Sequence, residues 1–203
     1  VLPSTISAVV IEEDVPILEI LGSWLKDAEG FSCVGQFHDP ETASAEILKR
    51  KPDVALVDIN LPDFSGVECI RKLKPLLPAT QFITLTLYED SNRIFDALAA
   101  GATGYLLKRT PRAALISAVR DVHAGGSPMT SNIARKVAQS LKQSQSSRAA
   151  QEELSKRENE VITLLAQGYL GQEIADLLGI NIPTVSLSVR RVYEKLHARS
   201  RSA

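Results

Sequence analysis

Short runs of Val, Ile, Leu and Ala, each closed by a polar residue and separated by stretches with helical spacing, constrain this chain more than any other feature. Glu13 and Asp14 close the run Ile6 to Ile11, and Asp58 closes Val54-Ala55-Leu56-Val57. Thr86 follows Phe82-Ile83-Thr84-Leu85, and Lys108 follows Tyr105-Leu106-Leu107. Apolar runs this short, alternating with amphipathic helices, predict five strand–helix units up to about Ala124. The fold class is α/β, a doubly wound five-stranded parallel sheet covered on both faces. Ligands of such sheets bind beyond the carboxyl ends of the strands. Three carboxylates, a hydroxyl and an ammonium should therefore meet at one edge.

Carboxylates crowded together repel one another unless a cation sits among them. Oxygen donors without His or Cys favour a hard ion, and Mg²⁺ accepts few protein ligands plus water. Asp58 stands at a loop mouth, in Val57-Asp58-Ile59-Asn60-Leu61-Pro62-Asp63-Phe64-Ser65-Gly66. A carboxylate there can attack phosphorus and form an acyl phosphate, with Lys108 and Mg²⁺ neutralising charge and Thr86 donating to a phosphoryl oxygen.

The rest of the chain reads as a linker and a second, all-α domain. His123-Ala124-Gly125-Gly126-Ser127-Pro128 stops the last helix of the first domain. Thr130 to about Leu141 suits a short basic helix, and Lys142 to Gln151, rich in Gln and Ser, a tether. Ser155 and Glu158 fit a capping box, and Gly168 stops the helix they start. A second helix is expected over Gln172 to Leu178, with Gly179 turning the chain and Asn181 capping a third. Val185, Val189, Val192 and Leu196 recur at helical spacing as its core face. The domains expected are thus 1–124, a linker 125–153, and 154–203.

Composition suits a soluble cytoplasmic protein: 44% hydrophobic and 23% charged, with no apolar run of membrane-spanning length and no signal peptide at Val1-Leu2-Pro3-Ser4. Cys33 and Cys69 lack metal-site spacing and read as buried thiols. The net charge of −1 is unevenly spread. Residues 1–130 hold 12 Lys/Arg against 17 Asp/Glu, while 184–203 hold five basic residues against Glu194. A negative first domain joined to a basic stripe suits a sensor coupled to a nucleic-acid reader.

The acid pair Glu13-Asp14, Asp58 in VDINLPDFSG, Thr86, and Lys108 in GYLLKRT resemble the signature of response-regulator receiver domains. The segment LSKRENEVITLLAQGYLGQEIADLLGINIPTVSLSVRRVYEKLHARSRS resembles the LuxR-type helix-turn-helix, and the combination is that of the NarL/FixJ class of response regulators. The resemblance implies a phosphoprotein rather than an enzyme. Asp58 would be phosphorylated by a sensor histidine kinase, with Mg²⁺ held by Glu13, Asp14, Asp58 and the carbonyl of Asn60. Tyr105 would move with Thr86, and phosphorylation would release the helix-turn-helix to dimerise on double-stranded DNA. Thr184, Ser186, Leu187, Ser188, Arg190, Arg191 and Lys195 would face that DNA.

The sequence departs from the family where DNA contacts are expected. Ser186 and Ser188 stand where a basic residue and a His are usual, and Leu170-Gly171-Gln172 replaces Ser/Thr-Asn-Lys. The final helix that usually follows is expected to be short or missing. Fewer phosphate contacts weaken DNA binding, so an output through protein contacts is the alternative. Leu87, where a small residue is common, is expected to screen the phosphoryl group. A haloacid-dehalogenase-like reading needs a second carboxylate two residues after the nucleophile, where Asn60 stands.

Overall fold

The computed structural model describes residues 5–61, 65–87, 91–129, Asn132, Arg135 and 154–200, with the backbone alone for 91, 92, 193, 194 and 196–200. Asn132 and Arg135 are helical. Apart from these, the expected linker helix, the tether and Leu196's place in the core face lie outside the described residues and side chains. The first domain runs β1 (Ile6–Ile11), α1 (Val15–Lys26), β2 (Phe31–Phe37), α2 (Pro40–Arg50), β3 (Val54–Asp58), α3 (Gly66–Leu73), β4 (Gln81–Thr86), α4 (Ser91–Ala99), β5 (Gly104–Leu107) and α5 (Arg112–His123).

The strands pair in parallel in the order β2-β1-β3-β4-β5, so the sequence order reverses between β1 and β3. Successive side chains of a strand point to opposite faces, and both faces here are apolar. Val9, Ile11, Ala55, Val57 and Phe82 pack in one layer with Ile47, Ile70 and Ile94. Ala8, Val10, Leu56, Ile83 and Leu85 pack in the other with Leu21, Leu25, Leu115 and Val119. Local chemistry fixes the helix starts. The Asp39 carboxylate accepts from Thr42 N–H at 2.7 Å ahead of Pro40, and Asp14 accepts from Ile17 N–H at 3.1 Å ahead of Pro16. Cys69 is buried, whereas Cys33 is only partly so, because β2 is an edge strand.

The second domain holds α6 (Lys156–Gln167), α7 (Gly171–Leu178) and α8 (Ile182–Ser200). Gly168 and Gly179 end α6 and α7 in left-handed conformations, at φ 97° and 62°. Val161, Ile162, Leu165, Ile174, Ala175, Val185, Val189 and Val192 are buried. This cluster is continuous with the layer under α4, and α8 packs along α4 as well as against α6 and α7. Among the described residues no helix is long and apolar enough to cross a membrane.

Candidate functional site

The ends of β1, β3, β4 and β5 meet around one ammonium. Lys108 N–H donates to Thr86 O at 2.8 Å, continuing the β4–β5 ladder past its last pair and setting the side chain over β3. Lys108 Nζ then donates to Glu12 Oε1 at 2.7 Å and to Asp58 Oδ2 at 2.8 Å. Both carboxylates are wholly buried. Asp58 Oδ1 accepts from Asn60 N–H at 3.1 Å, and Glu12 Oε1 from Asp14 N–H at 3.1 Å. Gly66 closes the loop behind Asp58: a Cβ there would lie 1.9 Å from the Asp58 carbonyl oxygen.

Burial is the largest influence on each partner. It pushes the Glu12 carboxyl up; the hydrogen bond from Lys108 opposes this, but the charge of Asp58 adds to it, and the net shift is upward. For Lys108 burial acts downward, but the hydrogen bonds to Asp58 and Glu12 outweigh it, so the group is held above its ordinary value and stays charged.

The acid pair is displaced by one residue from its expected place. Glu12, not anticipated, carries the buried carboxylate; Asp14, expected among the metal ligands, is exposed and spends its carboxylate capping α1. Glu13 is exposed and, with Asn60, Ser65, Arg71 and Arg93, lines an open cavity of about 710 Å³ at the mouth. Thr86 is buried at the end of β4. Tyr105 is fully buried, its N–H donating to Pro128 O at 3.0 Å. Leu87 is 62% exposed, so its side chain projects into solvent rather than forming a buried cover.

Among the described residues no cluster of three or more His, Cys, Asp and Glu side chains could by itself hold a metal. The donor chemistry nevertheless fits a hard divalent ion. Glu12 Oε2 is buried without a hydrogen-bond partner among the described residues, and Glu13, Asp58 and the Asn60 carbonyl add only oxygen.

In the second domain Ser155 Oγ accepts from Glu158 N–H at 3.2 Å, and Glu158 Oε2 accepts in return from Ser155 N–H at 2.7 Å, completing the expected capping box. Lys195 Nζ donates to the same Oε2 at 2.9 Å. Lys195 thus ties α8 to the start of α6, which differs from its expected place facing DNA. Ser188 differs too: it is buried, and its hydroxyl donates to Thr184 O at 2.9 Å. Ser186 donates to Ile182 O at 3.2 Å, each hydroxyl satisfying itself within its own helix. Thr184 is partly buried, its N–H donating to Asn181 Oδ1 at 2.9 Å, while Leu187, Arg190 and Arg191 are exposed.

A strand-end Asp, Lys and Thr on a 2-1-3-4-5 sheet, followed by a capped three-helix unit, is matched by two family models. The response regulator receiver domain spans residues 8–120, and the luxR family of bacterial regulatory proteins spans 152–203. The chain belongs to the response regulators, in the NarL/FixJ class. The regulator is 32% identical over 188 residues to the oxygen regulatory protein NreC of Staphylococcus carnosus, covering 85% of this chain and 87% of that one. It is 30% identical over 199 residues to the response regulator protein VraR of Staphylococcus aureus strain Mu3, covering 98% and 93%. A LuxR-family two-component response regulator from Aurantimonas sp. SI85-9A1 superposes with TM-score 0.64 at 25% identity, covering 67% of this chain and 97% of that one.

The regulator's two domains are docked. Asp121 on α5 lies between Gly126 and Gly171, and Gly125 lies beside Pro183 at the start of α8. Burial leaves the Asp121 carboxyl raised. Lys74 is held below its ordinary value by burial and then by the charge of Arg190, which brings that α8 residue up to the receiver. Gly171, at the start of α7, packs against Asp121: a Cβ there would lie 3.5 Å from the carboxylate, an ordinary van der Waals contact.

Proposed function

We propose that the regulator is a phosphorylation-gated transcription factor acting in the cytoplasm. A carboxylate oxygen of Asp58 attacks the phosphorus of a sensor kinase's phosphohistidine; the P–N bond breaks, its electron pair stays on the imidazole, and an acyl phosphate forms. Glu13, Asp58 and the Asn60 carbonyl, with Glu12 behind them, would hold Mg²⁺, which when bound neutralises phosphoryl charge. Lys108, already on Asp58, follows the transferred group, and the Thr86 hydroxyl donates to it. Tyr105, beside Thr84 in the β4–β5 ladder and tied to Pro128, passes the change toward the linker. The new group adds about −1.5 to −2 charges to a pocket that now balances two carboxylates on one ammonium.

The observation that carries this reading is the packing of α8 along α4. A recognition helix in that position does not enter a major groove, so release must precede DNA binding, and two released copies pair on the duplex. Selection of genomic fragments by the full chain with Mg²⁺ and fluoroberyllate, beside Asp58→Ala, tests it. Enrichment of paired half-sites by the activated protein alone is expected.

A second reading rests on Ser186 and Ser188, which turn their hydroxyls into α8, and on Lys195, which is held by Glu158. Few polar groups then remain to read bases. An activated, folded protein that enriches nothing at low salt would favour release toward a protein partner instead.

A further inference from the structure

Arg93 stands in the first turn of α4, where the helix dipole disfavours a cation. Its guanidinium donates to Asn60 Oδ1, 33 residues away on the loop that follows β3. Asn60 N–H in turn donates to the Asp58 carboxylate at 3.1 Å. A two-step hydrogen-bonded connection therefore runs from the phosphoacceptor, through Asn60, to the helix against which α8 is packed. The other arginine at this cavity, Arg71, is paired with Glu68 on its own helix, and Lys108 is held by Glu12 and Asp58.

A neutral amide oxygen is a weak partner for a guanidinium. A phosphoryl group on Asp58 brings three acceptor oxygens and about −1.5 to −2 charges beside it. Charge-assisted, forked bonds to phosphoryl oxygens are roughly twice as strong as neutral ones. The exchange is therefore downhill once Asp58 is modified, and it happens at the end of α4 nearest the pocket. The half-buried Phe95 and the buried Ile94 follow Arg93 directly and pack in the layer that continues into the second domain. A pull on this turn is thus applied to side chains of the shared core.

We propose that Arg93 reads the phosphoryl group: its guanidinium leaves Asn60 Oδ1 for the phosphoryl oxygens on Asp58, and the exchange draws α4 toward the pocket and loosens α8. This rests on the phosphorylation of Asp58 proposed above. Glu13, Glu68 and Asp96 line the same cavity.

The test uses the full chain, its Arg93→Ala and Arg93→Lys variants, Mg²⁺ and fluoroberyllate. Binding is followed by ¹⁹F resonance, and exposure of α8 by amide hydrogen exchange across residues 182–192. Arg93→Ala is expected to need about tenfold more fluoroberyllate for half-saturation, and to keep α8 protected even when saturated. Arg93→Lys should recover part of the affinity, since it keeps the charge and loses the fork. Without fluoroberyllate all three proteins should exchange alike, whereas a merely structural clamp would open α8 in Arg93→Ala at rest. Equal half-saturation and equal α8 exposure in Arg93→Ala and the parent overturn the inference alone. A parent chain that takes up neither fluoroberyllate nor a phosphoryl group from phosphoramidate overturns the phosphorylation reading, and this inference with it.

Discussion

Lys108 Nζ lies 2.7 Å from Glu12 Oε1, and this contact joins the end of β5 to the end of β1 across the ends of β3 and β4. The same ammonium serves Asp58, so its loss leaves two buried carboxylates facing one another. Lys108→Ala should lower stability by about 3 kcal/mol, the cost of removing one partner from a buried ion pair. The Glu12 carboxyl is already raised, and without Lys108 it rises further. A raised carboxyl binds more protons folded than unfolded, so stability falls as pH increases through that window. Urea denaturation of the variant should therefore show the largest deficit above the raised Glu12 value and a shrinking one on acidification through it.

Glu158 has the opposite sign. Burial acts upward on it, but the hydrogen bonds from Lys195 and Ser155 outweigh that and hold it below its ordinary value of 4.5. Its contribution is complete above that value and is lost as pH falls through the lower folded value. Glu158→Gln should flatten the acid limb of the thermal unfolding profile of the second domain while lowering its midpoint near neutrality. An unchanged acid limb would show that other carboxylates govern it.

Gly66→Ala places a methyl carbon 1.9 Å from the Asp58 carbonyl oxygen, a backbone atom with no freedom to turn aside. A cost of about 3 kcal/mol is expected from overpacking. Phosphorylation of Asp58 by phosphoramidate should slow in the folded fraction, measured by phosphate-affinity electrophoresis, because the acceptor's own peptide is displaced.

Arg190 and Arg191 are exposed on α8, whereas Lys195 is tied to Glu158. If the activated regulator binds DNA, Arg190→Ala and Arg191→Ala should each reduce the slope of log affinity against log salt by about 1. Lys195→Ala should leave the slope in place and lower thermal stability, by about 2 kcal/mol for a lost charge-assisted bond. Filter binding across a salt series, beside calorimetry, separates the two roles.

Four strands and their polar ends are legible because burial on both faces forces short apolar runs in β1, β3, β4 and β5, each closed by a polar residue, whereas the edge strand β2 carries Ser32 and Gln36. Caps were legible for the same local reason: Ser155 and Asn181 act on neighbours three residues away. The acid pair was not, because Glu12, Glu13 and Asp14 are three acids in succession. Choosing among them requires the pleat, in which a slip of one residue exchanges inside for outside. The burial of Ser188 was not legible, because helical period alone does not tell which neighbour covers a face. Arg93 gave no signal at all, its partner being 33 residues distant on another loop.

The packing of α8 along α4 makes α4 an internal competitor, present at a local concentration that no free ligand matches. Any partner that needs the α8 face must displace it, so its apparent affinity is its intrinsic one multiplied by the fraction of undocked molecules. Linkage then runs in both directions. Any ligand at the Asp58 side that raises that fraction strengthens capture on the α8 side, and capture of α8 strengthens binding of that ligand by the same factor. The two ends of the molecule would keep a common account of occupancy, with a bound target reporting back to the pocket that admitted the signal.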